Sequence, residues 1–167
     1  RFIDSSELMQ KYSARSTACM TIFMRCITTH GKWSGQSPFH PSDRTDPTNP
    51  MVAVITRATI KTSKLIRFWR YVPTAQKPVK KAEGLIYTKG IGEAPIKQMA
   101  TFSLWTTEVE MKKFAYQSSE HQQAIKMTRV LNWYKEELFA RFQPYAFDGN
   151  WEKLSTDYLG IKNNIPV

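Results

Sequence analysis

The sequence predicts an α+β protein built around a ferredoxin-like unit, in which helices cover one face of an antiparallel sheet. The composition is the first observation, because 41% hydrophobic and 13% aromatic residues in a chain of 167 are enough for a packed core. The second is the predicted element order β-α-β-β-α-β between residues 51 and 145, which is that of the ferredoxin-like motif. The third is a short internal repeat, in which residues 2–7 (FIDSSE) match residues 115–120 (AYQSSE).

The first strand and helix of this unit are predicted from residue types. Residues 51–60 (MVAVITRATI) are rich in β-branched side chains, which favour a strand. Thr62 or Ser63 is a suitable N-cap for the helix that follows. The apolar residues of that helix lie within 65–69, and Pro73 is expected to stop or kink it.

The second half of the unit repeats this alternation in the order strand, strand, helix and strand. Glycines between the two strands indicate a turn, because glycine readily adopts positive φ. The predicted segments are a strand at 84–89, a turn at 90–95 (GIGEAP), a strand at 97–105, a helix within 107–134 broken near Ser118, and a strand at 137–145.

The chain divides at a segment rich in proline. Residues 38–50 (PFHPSDRTDPTNP) contain four of the nine prolines and are interpreted as a linker or a long surface loop. Residues 51–151 then form the complete ferredoxin-like unit, and 152–167 form a tail. Because of the repeat, residues 1–37 are interpreted as the C-terminal helix and strand of a preceding similar unit. The chain begins with Arg1 instead of Met, so we expect either that its start has been processed or that it begins inside a larger design.

Positive charge is concentrated in the middle of the chain. The net charge is +10, and residues 51–150 carry 16 Lys and Arg against 8 Asp and Glu. Eight cations and no acid lie between Arg57 and Ala82. Three interpretations stay open for this run: the solvated face of an amphipathic helix, contact with an anionic membrane surface, and nucleic-acid binding, which the apolar stripe of the same helix disfavours.

Missing motifs exclude several classes of site. Cys19 and Cys26 are the only cysteines and form no CxxC pair, so neither a disulfide framework nor a zinc cluster is supported, and a reduced, cytoplasmic setting is favoured. No HExxH, GxSxG or P-loop motif is present. Gly90 and Gly92 lack the third glycine of a dinucleotide-binding turn. No apolar run approaches the roughly 18 residues of a membrane-spanning helix.

Seven segments, in order, resemble the spheroidene monooxygenase family of carotenoid biosynthesis. They are residues 31–39 (GKWSGQSPF), 55–60 (ITRATI), 67–73 (RFWRYVP), 90–93 (GIGE), 101–105 (TFSLW), 121–125 (HQQAI) and 136–142 (EELFARF). The resemblance implies a dimeric α+β barrel fold with two such units in tandem, so a homodimer or pseudo-dimer is expected. It also implies a monooxygenase that carries heme b and acts on an apolar polyene.

His121 is the candidate cofactor ligand. Ser118 is a suitable N-cap, so His121 falls in the first turn of a predicted helix, where the helix dipole disfavours the imidazolium form. A neutral imidazole is a common axial ligand of heme iron, and the resemblance implies this role for His121. A solvent-facing histidine is the alternative.

Other residues are weaker candidates. His30 ends a predicted strand and His40 lies in the proline-rich segment, where exposure is the simpler interpretation. Arg57 and Lys97 are cations able to meet heme propionates, but any cation at a strand edge is, so neither is selected for this role. Aromatic residues that would line a substrate channel, or simply fill the core, are Trp69, Phe102, Trp105, Phe114 and Trp133.

The leading hypothesis is a heme-dependent monooxygenase that inserts oxygen into a carotenoid or similar polyene and takes electrons from an external donor. Its catalytic residues stay unknown. A heme-binding α+β barrel protein without carotenoid activity is one alternative, and a non-catalytic fragment that serves association only is another. The expected location is cytoplasmic, with peripheral contact to an anionic membrane as an open option.

Overall fold

The computed structural model describes residues 6–76, 79, 82–94, 96–117, 126–127 and 130–149. The chain forms two compact units, Arg1–Met24 with Pro144–Val167, and Arg25–Gln143. The described helices and strands are α1 (Glu7–Ala14), β1 (Met20–Gly31), β2 (Val52–Ile60), a 3-10 turn (Thr62–Lys64), α2 (Leu65–Gln76), β3 (Leu85–Ala94), β4 (Gln98–Trp105), α3 (Glu108–Gln117) and β5 (Tyr134–Gly149).

The strands form one five-stranded sheet in the order β1-β5-β2-β4-β3. The pairs β2–β4, β2–β5 and β3–β4 are antiparallel. Without β1, the element order β2-α2-β3-β4-α3-β5 and the sheet order β5-β2-β4-β3 are those of the ferredoxin-like motif. The predicted α+β, ferredoxin-like fold is therefore confirmed.

Strand β2 is central and has two different faces. Val52, Val54, Thr56, Ala58 and Ile60 point to the face that α2 and α3 cover, here called the helix face. The alternate residues 53, 55, 57 and 59 point to the opposite face, here called the loop face, because side chains alternate along a strand. All residues of the strand except 55 and 56 are buried. Because both faces are covered, its sequence is almost continuously apolar or β-branched.

Two separate hydrophobic clusters fill the helix face. The first joins Val52, Val54 and Trp105 to Met111 of α3. The second joins Ile60 and Trp133 to Phe68 of α2, whose apolar stripe at helical spacing supplies Leu65, Tyr71 and Val72. Each helix therefore packs over a different end of the central strand.

The segment between β1 and β2 is fixed to the sheet by hydrogen bonds. Gln143 accepts a bond from the Asp46 N–H and donates to the Asp46 and Asn49 carbonyls. The Ser42 N–H donates to the Cys26 carbonyl at 2.9 Å. Phe39 packs edge-on against Phe142 with ring centroids 4.9 Å apart. These contacts hold the segment against the sheet, and its predicted role as the boundary between two units stays a prediction.

In the smaller unit, Ser6 caps α1 by accepting a hydrogen bond from the Met9 N–H. The Phe23 and Tyr145 rings lie 6.2 Å apart. The helix and strand predicted within residues 1–37 are thus present, and their origin as the end of a preceding unit stays a prediction. In the described part of the chain, no helix is both long and apolar enough to cross a bilayer.

One local prediction is wrong. Gly90 and Gly92 lie within β3 and not in a turn, since this strand is at the edge of the sheet, where glycine is tolerated. The reversal comes later, at Ile96, which itself has a positive φ of 58°. Helix α2 continues past Pro73 and ends at Gln76, so the proline does not stop the helix, and the alternative of a kink stays a prediction.

Candidate functional site

A row of residues across the middle of the sheet lies open on the helix face. The strand register aligns Thr56 with Phe139 of β5 and Thr101 of β4, and Thr101 with Gly90 of β3. Thr56 is exposed although it lies at the centre of the central strand, and Phe139 is 36% exposed. The row, here called the central row, spans three inter-strand steps, or roughly 14 Å. It lies between the two hydrophobic clusters, and we call the open strip along it the groove.

Two buried side-chain N–H groups on the helix face lack a hydrogen-bond partner among the described residues. Arg141 is level with Val54 in the register, one step along the helix face from the central row, and its Nε is unpartnered. Trp133, only 2% exposed, has an unpartnered indole Nε1 in the second cluster. Buried polar groups are normally hydrogen-bonded, so these two atoms are exceptions that call for an acceptor.

Arg141 is held in place by an acidic residue. Its Nη1 donates to the Glu108 carboxylate, which also accepts from Lys112 at 2.9 Å. The hydrogen bond from Lys112 and the positive charge of Arg141 hold the pKa of Glu108 below its usual value. The carboxylate therefore stays ionised, and the guanidinium stays oriented beside the groove.

The chemistry of this groove is that of a binding surface. Its floor combines an aromatic ring, two hydroxyl groups and a glycine, and its rim supplies a guanidinium. An aromatic ring in such a row is suited to contact with apolar surface, and a guanidinium is suited to a charge-assisted hydrogen bond with a carboxylate or carbonyl. The sequence offered one signal for it, the polar Thr56 in the middle of an apolar strand.

A second constellation lies on the loop face and is centred on Arg57. This residue is 2% exposed, and its Nη1 lies 2.5 Å from Glu136 Oε1. The same carboxylate accepts the backbone N–H groups of Ser34 at 2.8 Å and Gly35 at 2.7 Å. The Trp33 ring stacks on the guanidinium, with Arg57 Cζ 5.5 Å from the ring centroid.

The backbone N–H groups of Gly35 and Ser34, together with Arg57, hold the pKa of Glu136 below its usual value. Ser34 and Gly35 both have positive φ, so their N–H groups converge on one acceptor. Arg57 is thus fully engaged as an internal anchor of the turn. Because it is buried, Arg57 does not belong to a solvated cationic face, which corrects its inclusion in that run of cations.

The structure separates the other predicted site residues. His121 lies outside the described residues, so its predicted role stays a prediction. His30 and His40 are both exposed, and Lys97 is exposed at the turn before β4. Within the described ranges, no group of three or more His, Cys, Asp and Glu is placed to hold a metal ion.

The aromatic candidates do not form one channel. Trp105 and Phe114 stack 5.5 Å apart in the first cluster, and Trp133 lies in the second. Phe102 aligns with Ile55 and therefore points to the loop face. Trp69 is 37% exposed on α2. Core packing is thus the better description of Trp105, Phe114 and Trp133, and the aromatic side chain of the groove floor is Phe139.

Three curated proteins, each named spheroidene monooxygenase, are similar to this chain. The protein of Cereibacter sphaeroides is 35% identical over 153 residues, which cover 91% of this chain and 47% of the relative. That of Rhodobacter capsulatus is 33% identical over 144 residues, 85% of this chain and 59% of the relative. That of Rubrivivax gelatinosus is 34% identical over 151 residues, 90% and 57% respectively. The chain thus spans about half the length of these relatives. No protein-family model matches it.

Solved structures bear on the fold alone. A protein of Fusobacterium nucleatum, provisionally named a monooxygenase, superposes with a TM-score of 0.55 at 10% identity, over 87% of this chain and 63% of its own. A protein of Lactobacillus acidophilus with a similarly provisional name gives a TM-score of 0.50 at 8% identity, over 60% and 47%. At these identities the similarity supports the α+β architecture and carries no residue roles.

Proposed function

This chain is a member of the spheroidene monooxygenase family over its matched residues, and from that premise we propose that it inserts oxygen into a carotenoid or a similar apolar polyene. The observation that carries the proposal is the open central row. A groove floor that crosses the sheet centre, with Thr56 and Phe139 both accessible, suits a long, narrow, apolar substrate. Burial of its hydrocarbon surface against Phe139 and the flanking clusters would supply most of the binding free energy.

In this proposal the residues of the chain bind and orient the substrate. The register of β5, β2 and β4 fixes the spacing of Phe139, Thr56 and Thr101, so the floor is rigid. The Thr56 and Thr101 hydroxyls stand where a polar atom of the substrate or product would need a hydrogen bond. The helices on either side limit the access of water to the bound polyene.

We further propose that the site holds heme, which would supply the oxygen chemistry when bound. The fit rests on the unpartnered Nε of Arg141, because a heme propionate is a planar carboxylate that pairs well with a guanidinium. Arg57 is excluded from this role by its bond to Glu136. The proposed axial ligand is His121, in the segment that follows α3 along the chain.

Product analysis in cells that make acyclic carotenoids tests the activity. Expression of the chain should yield keto or hydroxy carotenoids, with Thr56→Trp blocking the groove and abolishing product. Thr45→Trp, at an exposed residue of the long loop, is the matched control and should leave product unchanged. Equal product from both variants would refute the groove, and no product from the wild type would leave the chain without this activity.

Titration with hemin tests the cofactor separately. The wild type should give a Soret band that His121→Ala shifts or abolishes, whereas His40→Ala, at an exposed histidine, should leave it unchanged. Heme binding without oxygenated product would favour a heme-binding protein over an oxygenase. Absence of both would favour a non-catalytic role in association.

A further inference from the structure

A surface patch joins α2 to the β3–β4 turn. Three large apolar side chains are exposed there: Ile66 is 74%, Trp69 37% and Ile96 62% exposed. The Trp69 Nε1–H donates to the Ile96 carbonyl at 2.7 Å, so the helix and the turn present one continuous surface. We call these three residues, with the cations around them, the basic patch.

Four cations lie close in sequence to these apolar residues. Arg67 and Arg70 are exposed on α2, Lys64 precedes the helix, and Lys97 follows Ile96. No ion pair joins any of the four to an acid within the described ranges. The chain has no Asp or Glu between Arg57 and Ala82, so Lys64, Arg67 and Arg70 have no acidic neighbour in this stretch of sequence.

The other large helix of the fold shows that this arrangement is particular. Helix α3 also exposes apolar side chains, Val109 at 75% and Tyr116 at 67%. Its cations, however, are neutralised, since Lys112 pairs with Glu108 and Lys113 with Glu83, both at 2.9 Å. Both of these helices expose apolar residues, but within the described residues the cations of α2 lack the ion pairs that those of α3 have.

We infer that the basic patch docks on the surface of an anionic lipid bilayer. Cations attract the acidic headgroups, while Ile66, Trp69 and Ile96 enter the interface, where tryptophan is especially favoured. A nucleic acid would use the same cations but would leave the two exposed isoleucines without a partner, so lipid is the better fit. The inference stands without the proposed oxygenation, and its test requires no activity.

The test measures sedimentation of the chain with vesicles of phosphatidylcholine, with and without phosphatidylserine. The wild type should bind only the phosphatidylserine-containing vesicles. Arg67→Gln with Arg70→Gln should weaken binding by roughly tenfold or more, because each cation near the surface contributes to the attraction. The control Arg15→Gln with Arg44→Gln removes the same charge at exposed residues elsewhere and should bind like the wild type.

A second pair of variants separates lipid insertion from charge alone. Ile66→Ser should weaken vesicle binding several-fold, and Val109→Ser, at a side chain equally exposed on α3, should not. Binding to neutral vesicles as strong as to acidic ones, equal losses in patch and control variants, or no vesicle binding would each overturn the inference. So would retention of a single-stranded or duplex oligonucleotide through Arg67 and Arg70 without vesicle binding.

Discussion

The Nη1 atom of Arg57 lies 2.5 Å from Oε1 of Glu136, although the two residues are 79 positions apart in the chain. One is in the central strand and the other near the start of β5. Because Glu136 also accepts the N–H groups of Ser34 and Gly35, a single carboxylate ties two strands and the turn after β1 together. Because the Arg57 side chain is fully buried, water cannot replace Glu136 as the partner of the guanidinium.

Glu136→Gln should destabilise the fold by leaving this guanidinium without a counter-charge and by placing an amide N–H₂ among N–H donors. We expect the Tm to fall by roughly 5–10 °C, the size expected when a buried charge loses its partner in a chain of this length. Glu137→Gln, at the exposed neighbouring residue, should change the Tm little. Similar shifts in the two variants would argue against the anchor.

The same pair predicts a loss of stability in acid. The pKa of Glu136 is lower in the folded chain than its ordinary value near 4.5. The contribution of Glu136 is therefore complete above that ordinary value and is lost as the pH falls through the lower, folded-state pKa. Thermal unfolding at a series of pH values below about 5 should show a steeper decline for the wild type than for Glu136→Gln. Parallel curves would contradict the linkage.

Gly31 at the end of β1 and Gly35 in the turn after it should respond differently to alanine. Both have positive φ, but a Cβ at Gly31 would lie 2.1 Å from the Glu137 carbonyl oxygen, whereas nothing lies within 4 Å of one at Gly35. Urea denaturation should therefore show a loss of about 1 kcal/mol for Gly35→Ala. For Gly31→Ala the loss should be roughly 3 kcal/mol or more, because the backbone must move. Equal losses would mean that the close approach is not maintained.

The two thiols should differ in reactivity. Cys19 is exposed and Cys26 is buried, and burial raises the pKa of the Cys26 thiol, so less thiolate is present at neutral pH. Reaction with Ellman's reagent should show one fast and one slow thiol in the native chain, and Cys19→Ser should remove the fast phase. Unfolding in urea should make the two thiols equivalent. Two equally fast native phases would contradict the burial of Cys26.

Arg141→Met tests the cation at the groove. If its guanidinium pairs with a carboxylate of the bound group, hemin affinity should fall by roughly tenfold, the worth of one charge-assisted hydrogen bond. Lys112→Met is the control, since it removes the other partner of Glu108 without touching the groove side. Hemin titration followed by absorbance measures the affinity of both variants. Equal losses of hemin affinity would mean that Arg141 acts only through its ion pair with Glu108.

Local patterns predicted the elements well where one physical cause dominates. The β-branched run of β2 and the apolar stripe of α2 were predicted from residue types alone. The glycines of β3 led to the wrong prediction of a turn. Glycine favours a turn because it can adopt positive φ, but it is also tolerated in an edge strand. No local pattern reveals the ion pair of Arg57, since its partner lies on a strand distant in sequence. The groove at Thr56 could not be predicted either, because it depends on which parts of the sheet α2 and α3 cover.

The central position of β2 also affects how the chain is made on the ribosome. One neighbour, β4, follows within the next few dozen residues, whereas the other, β5, begins only at Tyr134. During synthesis, one edge of β2 therefore lacks a hydrogen-bonding partner until β5 has been made. Until then Arg57 also lacks the carboxylate of Glu136. Such unpaired edges favour intermolecular association. A nascent chain halted before β5 should therefore depend on chaperones far more than the finished one.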